Sequence, residues 1–199
     1  MSSSMQAVEL AKAYRLLNHG PTVLVTARHG ARRNVMAAAW SMPLDFNPPK
    51  IAVVIDRQTH TRTLIDASGC FGLNIPRAEM LSGVMRAGSL SGRELQSAGV
   101  DKFDACGLVA AVSPAPARDG NEPALFVEGC LAWLWCRVLP EVGLAERHDL
   151  FLAEVIEAWA DAEAFTDGRW HMPDEASRRS VHHVAGGAFF ATGNPLQAP

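Results

Sequence analysis

The sequence predicts a mainly β protein with a few inserted helices, folded as an antiparallel barrel. Three observations predict it. Short apolar or β-branched runs recur along the chain, bounded by Gly, Pro and Asn. No Gly-x-Gly-x-x-Gly opens a helix after a strand, which argues against a doubly wound dinucleotide fold. So many strands also expose edges, which curling into a barrel removes. At 199 residues and 48% hydrophobic composition, the chain can bury one substantial core. One domain over residues 1–199 is therefore expected.

Val8, Ala11, Tyr14 and Leu17 recur at helical spacing and predict a helix over about residues 5–18. Asn18-His19-Gly20-Pro21 stops it, with Gly for a left-handed cap and Pro barring continuation. A hairpin follows: an extended run from Thr22 to Ala27, a turn at His29-Gly30, and a second run from Asn34 to Ser41. Pro43 and Pro48-Pro49 predict a loop, and Ile51 to Ile55 a buried strand. Thr59 can cap a helix from His60 to Ser68, closed by Gly69. Phe71 to Ile75 reads as a strand ended by Pro76. A helix from Arg77 to about Arg86 then leads into a loop over Ala87–Gly92.

Leu108 to Val112 looks extended, and Pro114 to Asn121 reads as a polar turn. Leu125 to Leu139 is the longest strand candidate, with Cys130 and Cys136 on one face. His148 to Trp159 is expected to be a strand because of its Val155-Ile156 pair. The segment from about 160 to 199 reads as irregular, apart from short runs at Val181–Val184 and Gly186–Phe190.

Net charge is −3 with both signs scattered, so no basic face invites nucleic acid. There is no run of about 18 apolar residues, so no membrane span is expected. The opening MSSSMQAVELAKAYRLLNHG lacks the pattern of a secretion signal, which predicts a cytoplasmic protein. The four cysteines form no C-x-x-C pair and read as buried free thiols of a reducing compartment.

Two segments carry most of the chemistry. Asn34-Val35-Met36-Ala37-Ala38-Ala39-Trp40-Ser41 offers one amide, small residues that let a planar ring approach the backbone, and an indole. The same run also describes alanines under a close-packed helix with Trp40 in the core, and the residues alone leave both open. Arg57 to Thr63 gathers three threonines, a His and two arginines at a helix start, where free N–H groups and the dipole favour an anion. Plain capping by Thr59 explains part of that composition.

Ser89-Leu90-Ser91-Gly92-Arg93 adds hydroxyls and a guanidinium, though loops of this composition are common. His182 and His183 are neighbours on a strand and face opposite ways, so one metal taking both is not expected. No metal ligand set and no catalytic side chain is named.

Several of these segments, in this order, resemble the flavin reductase-like, flavoredoxin-type proteins, which bind FMN in a split β-barrel, a Greek-key antiparallel barrel. The segments are Pro21–Thr26, Asn34-Val35-Met36 with Trp40, Pro48-Pro49, His60-Thr61 and Phe71–Pro76. Shorter echoes occur at Ser91-Gly92-Arg93, Asp101-Lys102-Phe103, His148 and Gly186–Phe190. The resemblance spans about Tyr14 to Phe190. It implies non-covalent FMN where two subunits of a homodimer meet.

By position, Asn34, Val35, Met36 and Ala37 would lie along the flavin, with Trp40 and Ser41 close by. His60 and Thr61 would meet the phosphate, and Ser89, Ser91 and Gly92 would line the pocket. The implied activity is hydride transfer from NADH or NADPH to FMN and onward electron transfer. An FMN-binding electron carrier without nicotinamide oxidation, and a non-catalytic ligand-binding dimer, are the alternatives. The chain departs from the family pattern at Trp135, where a Glu before the Cys is usual, and at Phe190, where a Tyr is expected.

Overall fold

The computed structural model describes residues 5–114 and 123–198. The predicted polar turn lies outside the described residues from position 115 to 121. The frame is an antiparallel sheet of eight strands. It contains β1 (Met5–Ala7), β2 (Val23–His29), β3 (Arg32–Ala38), β4 (Ser41–Phe46) and β5 (Pro49–Val54). After α2 (His60–Ser68) come β6 (Cys70–Ile75), β9 (Ala132–Val138) and β10 (Leu150–Asp161). The strand order is β3-β2-β6-β9-β10-β5-β4, with β1 on the second half of β10. The pairing path does not join β3 to β4, so the barrel is split there, as the resemblance implies.

Alternation along each strand divides the interior in two. On β2, Val23, Val25 and Ala27 enter one core with Ile51, Val53 and Leu73. Leu24, from the other face of the same strand, enters a second core. On β9, Leu134 and Cys136 face the first core, while Trp133 and Trp135 face the second. The second core is covered by α3 (Leu81–Ser89), α5 (Lys102–Cys106) and the pair β7 (Ala110–Val112) and β8 (Leu125–Val127). Phe126 stacks on Trp133 with ring centroids 5.0 Å apart.

A buried polar knot fixes β8 to the barrel. Asn74 Nδ2 donates to the Leu24 carbonyl at 2.8 Å, and Asn74 Oδ1 accepts from the Val127 N–H at 2.8 Å. The Thr26 hydroxyl donates to the Leu125 carbonyl.

The helix His60–Ser68 forms as expected. The Thr59 hydroxyl accepts from the Arg62 N–H, and Gly69 closes the helix in the left-handed region. Other expectations need correction. The predicted helix over about 5–18 is a strand, then α1 (Leu10–Ala13) and a 3₁₀ turn at Tyr14–Leu16. The reason is tertiary: β5 pairs only with Leu150–Glu154 of β10, leaving the far end of a long strand open for β1.

The predicted loop at Pro43 is the edge strand β4, where a bulge between Pro43 and Asp45 accommodates the missing donor. Ser41 begins that strand and does not end the hairpin. The loop expected over Ala87–Gly92 is mostly helix: α3 runs to Ser89, and Ser91 caps α4 (Gly92–Ser97). The single strand expected over Leu125–Leu139 is β8 and β9, separated by a turn in which Gly129 has φ +80°. Cys130 therefore lies in the connection and not on one strand face with Cys136; both are buried free thiols.

The C-terminal part is less irregular than expected. After α6 (Leu144–His148) and β10 it forms the short pair β11 (Phe165–Thr166) and β12 (Arg169–Trp170). The hairpin of β13 (Val181–Ala185) and β14 (Ala188–Ala191) follows. That hairpin is docked on the start of β2. Thr22 N–H donates to the Val181 carbonyl at 2.8 Å, and the Thr22 hydroxyl accepts from the His183 N–H at 2.8 Å.

His19 buttresses the same junction, with Nε2 3.0 Å from Ser180 Oγ and its ring edge-on to Trp170 and His182. Burial, and then the neighbouring His182, push its pKa down to about 4 from 6.5. Between those values the unfolded chain binds a proton that the folded chain refuses, so stability falls as pH drops from about 6.5 towards 4. From pH 7 to 5 the expected loss from this group is about 2 kcal/mol. Urea unfolding at both pH values checks it: His19→Asn should show a flatter dependence, and parallel losses in variant and wild type would exclude His19 as the cause.

Candidate functional site

A cavity of about 340 Å³ opens between β3, the start of α2, the end of α3 and the start of α4. Its floor is set by register. Asn34 and Met36 project from β3 into it, while Val35, pointing the other way, is fully buried in the second core. Asn34 is itself almost fully buried, and its amide donates to Thr61 Oγ1 at 2.8 Å. That bond occupies the hydroxyl as an acceptor and leaves its O–H available as a donor.

Thr61 and His60 occupy the first turn of α2, whose leading N–H groups have no intrahelical partner. The approach to that turn is rigid. Gln58 N–H donates to Asp56 Oδ1 at 2.6 Å, and the Thr59 hydroxyl donates to the Asp56 carbonyl at 2.8 Å.

The opposite wall comes from α3 and α4. A Cβ on Gly92 would stand 2.6 Å from Asn34 Oδ1, so only glycine lets α4 close this tightly on the amide. Ser91 accepts from the Glu94 N–H as the α4 cap, which leaves its O–H available as a donor, whereas Ser89 donates to the Met85 carbonyl; both line the cavity. Arg93 reaches back to the Gln58 carbonyl at 3.2 Å and joins α4 to the head of α2.

The cavity is electropositive. Arg93 and Lys102 line it against one carboxylate, Asp56, whose Oδ1 is taken up by the Gln58 N–H. Burial lowers the His60 pKa, and the nearby charges of Arg93, Arg32 and Lys102 lower it further. His60 is therefore neutral at pH 7, a hydrogen-bonding group and not a fourth cation.

Ala37, Gly88 and Ser89 are shared with a second, apolar compartment of about 270 Å³. It is walled by Ala38, Ala39, Val84 and Met85, and from the C-terminal hairpin by His183 and Phe189. His183 and Phe189 meet edge-on at 5.0 Å between centroids. The cleft is thus bipolar, with cations and a helix start at one end and an apolar slot at the other.

Of the residues singled out in the sequence, Asn34, Met36, Ala37, His60, Thr61, Ser89, Ser91 and Gly92 converge on the cavity. Val35, Trp40 and Ser41 do not line it. Trp40 is 75% exposed beyond the end of β3, so it is neither a core residue nor a cavity wall in the single chain. Trp135 is buried in the second core and lies outside both compartments. Phe190 is exposed, and its neighbour Phe189 is the ring that faces the slot.

Sequence reasoning passed over Lys102, Gln58, His183 and Phe189. Lys102 and Phe189 stood in short family echoes, Gln58 lay within the Arg57–Thr63 segment, and His183 was weighed only as a metal ligand. Among the described residues, no three His, Cys, Asp or Glu side chains are grouped to hold a metal ion. No helix among them is long and apolar enough to cross a membrane.

The model of the flavin reductase like domain matches residues 15–176. An uncharacterized Escherichia coli protein, YddH, is 42% identical over 193 residues, covering 96% of each chain. An uncharacterized protein of Archaeoglobus fulgidus is 33% identical and covers 80% of each. Among solved structures, an FMN-binding domain of a flavin reductase-like enzyme from Shewanella baltica superposes with a TM-score of 0.90, at 46% identity and full coverage of both chains. The flavoredoxin of Desulfovibrio vulgaris shares the fold, with a TM-score of 0.70 at 24% identity over 90% of each chain.

Proposed function

Because the chain belongs to the flavin reductase-like domain family, we propose that it is an FMN-binding oxidoreductase, taking a hydride from NADH or NADPH and passing electrons onward. The bipolar cleft carries this reading. Its cationic end, with Thr61, Arg93, Lys102 and the first turn of α2, suits a phosphate. Its apolar end, between Ala37–Ala39 and Phe189, suits a flat ring. When bound, FMN supplies the two-electron chemistry. The protein's part is to bind and orient: Asn34 holds Thr61, Gly92 allows the wall to close, and Phe189 with Met85 limits water at the ring.

A yellow purified protein with a flavin spectrum, bleached within seconds by NADH or NADPH, is the expected result. A flavin spectrum without bleaching would favour an electron carrier that receives its electrons from another protein. Thr61→Val should weaken FMN by about 1–3 kcal/mol by removing a donor from a buried polar site. Titration of the flavin-free protein checks it, and an unchanged affinity would remove Thr61 from the phosphate site.

The assembly proposed is a homodimer with FMN at the subunit boundary. Along the edge strand β4, Met42, Leu44 and Phe46 are 54%, 47% and 64% exposed, on either side of and within the bulge between Pro43 and Asp45. Trp40 extends this apolar stripe to the rim of the ring compartment at Ala39. A stripe of this kind on an open sheet edge calls for a cover, and its continuity with the cleft puts the cover beside the ring. Sedimentation of wild type and Phe46→Glu tests this: a dimer should become monomeric and lose flavin together, and a wild-type monomer would end the proposal.

A further inference from the structure

We propose that the C-terminal hairpin of β13 and β14 is a proton-sensitive gate on the ring compartment, latched shut by a one-way chain of hydrogen bonds that starts at His19. What the gate controls rests on the FMN reading above; the latch itself does not.

The hairpin needs a latch. Val181 is its one buried side chain, Phe189 is partly buried, and most of the rest is exposed. A segment with so few buried apolar contacts opens locally at small cost. It nonetheless carries His183 and Phe189, which wall the ring compartment. Its base is held by polar groups.

With both imidazoles neutral, the Gly20 carbonyl sets the direction of the chain. His182 Nδ1 lies 3.1 Å from this oxygen, which can only accept, so Nδ1 carries the ring proton and Nε2 is an acceptor. Thr192 Oγ1, 3.0 Å from that Nε2, donates to it and accepts from the Ser180 hydroxyl at 2.6 Å. The Ser180 carbonyl, at 3.3 Å, is a second and more distant acceptor for the same Thr192 hydroxyl. The Ser180 hydroxyl oxygen in turn accepts from His19 Nε2–H at 3.0 Å. His19 Nδ1 is then left as a lone pair, buried and with no partner among the described residues.

A lone pair tolerates that position and a proton does not. Protonated Nδ1 would be a buried N–H without an acceptor, on a cation whose ring centroid is 5.7 Å from that of His182. A second proton on His182 would turn the Thr192 hydroxyl away and break the chain.

The surrounding elements offer no relief. Arg15 is turned to the Tyr14 hydroxyl and the Gly168 carbonyl, and Arg77 to Asp161. Arg179 donates to the Pro173 and Thr192 carbonyls, and His171 meets the Thr166 hydroxyl. Trp170, edge-on to His19, spends its N–H on the Arg15 carbonyl. Burial, and then His182, accordingly hold the His19 pKa at about 4 while the hairpin is shut. Lifting the hairpin wets the ring and returns it towards 6.5, so opening takes up a proton and is favoured as pH falls from about 6.5 towards 4. From pH 7 to 5 the opening constant should rise about 20-fold.

Hydrogen exchange on the flavin-free chain tests the latch through three amides at the hairpin base, those of Thr22, His183 and Thr192. Corrected for intrinsic rates, their opening constant should rise about 20-fold between pH 7 and 5, while Leu134 on β9 stays protected. His19→Gln, whose amide can still donate to Ser180 and takes no proton, should give a flat dependence whatever its level. Thr192→Val should open the hairpin at pH 7. With FMN bound, flavin release should quicken by a similar factor at pH 5 in wild type and not in His19→Gln.

An unchanged wild-type opening constant overturns the inference, as does loss of protection in step with Leu134. So does an undiminished pH response in His19→Gln, or a Thr192→Val hairpin as protected as wild type. Flavin release that ignores pH while exchange responds overturns the gate. A wild-type protein that binds no FMN overturns the cofactor reading instead, and exchange alone then decides the latch.

Discussion

Arg77→Met is expected to lower the unfolding free energy by about 3–5 kcal/mol. Arg77 and Asp161 form an ion pair at the junction of β6, β10 and the turn before β9, and their side chains are 7% and 3% exposed. The pair is tied in on both sides. Arg77 Nε donates to the Gly129 carbonyl at 2.9 Å, and Asp161 Oδ1 accepts from the Glu163 N–H at 3.0 Å. Removing the guanidinium strands a carboxylate where water does not reach and releases the Gly129 turn. Removing both charges is a different matter, since two buried ions are costly to desolvate in the first place. Arg77→Met with Asp161→Leu should therefore regain much of the loss. Thermal melts decide it: the single variant should fall by roughly 6–20 °C, and a shift of only a degree or two would show that the pair is not what holds the junction.

The second large effect is expected at Gly72, in the middle of β6. A Cβ there would sit 2.5 Å from the Leu125 carbonyl oxygen and 2.5 Å from Thr26 Oγ1. Neither neighbour is a flexible tip. Leu125 is backbone, and Thr26 is held within the polar knot with Asn74. Gly72→Ala must therefore push β8 off the barrel or break the knot, at a cost of about 3 kcal/mol or more. Gly88→Ala is the control, because its added methyl meets only Ala37 Cβ at 3.5 Å. Chemical denaturation should show the control folded as stably as wild type and Gly72→Ala clearly weakened. Equal midpoints for the two variants would mean that β8 can move freely, contrary to its bonding.

Local signals were legible where they were self-sufficient. Thr59, the apolar face of the following turn and Gly69 specify one helix without help from the rest of the chain, and the helix ends where they say. The hairpin of β2 and β3 is readable because its turn residue, Gly30, takes φ +59° and its flanks are β-branched. Elements decided by distant partners were not legible. Met5–Ala7 is a strand only because the far end of β10 needs a neighbour, and Pro43 can enter a strand only because β4 is an edge.

The site divides the same way. Asn34, His60 and Thr61 belong to short patterns that can be read locally. Lys102 looks like any surface lysine until α5 is folded under α3, and His183 and Phe189 belong to the cleft only after a stretch of 161 residues has returned to Thr22. Trp40 misled for a related reason. An exposed indole on an edge has no place in a single-chain core, and its value depends on what covers β4.

The docking of the last hairpin on Thr22 also dictates an order of assembly. The anion end of the cleft is built from residues up to Lys102, whereas the ring end lacks a wall until His183 and Phe189 arrive. A chain still being synthesised can thus offer a grip for a phosphate well before it can enclose a flavin. On the reading proposed above, cofactor capture is a post-translational event, and a chain truncated before Val181 should fold its barrel yet release FMN readily.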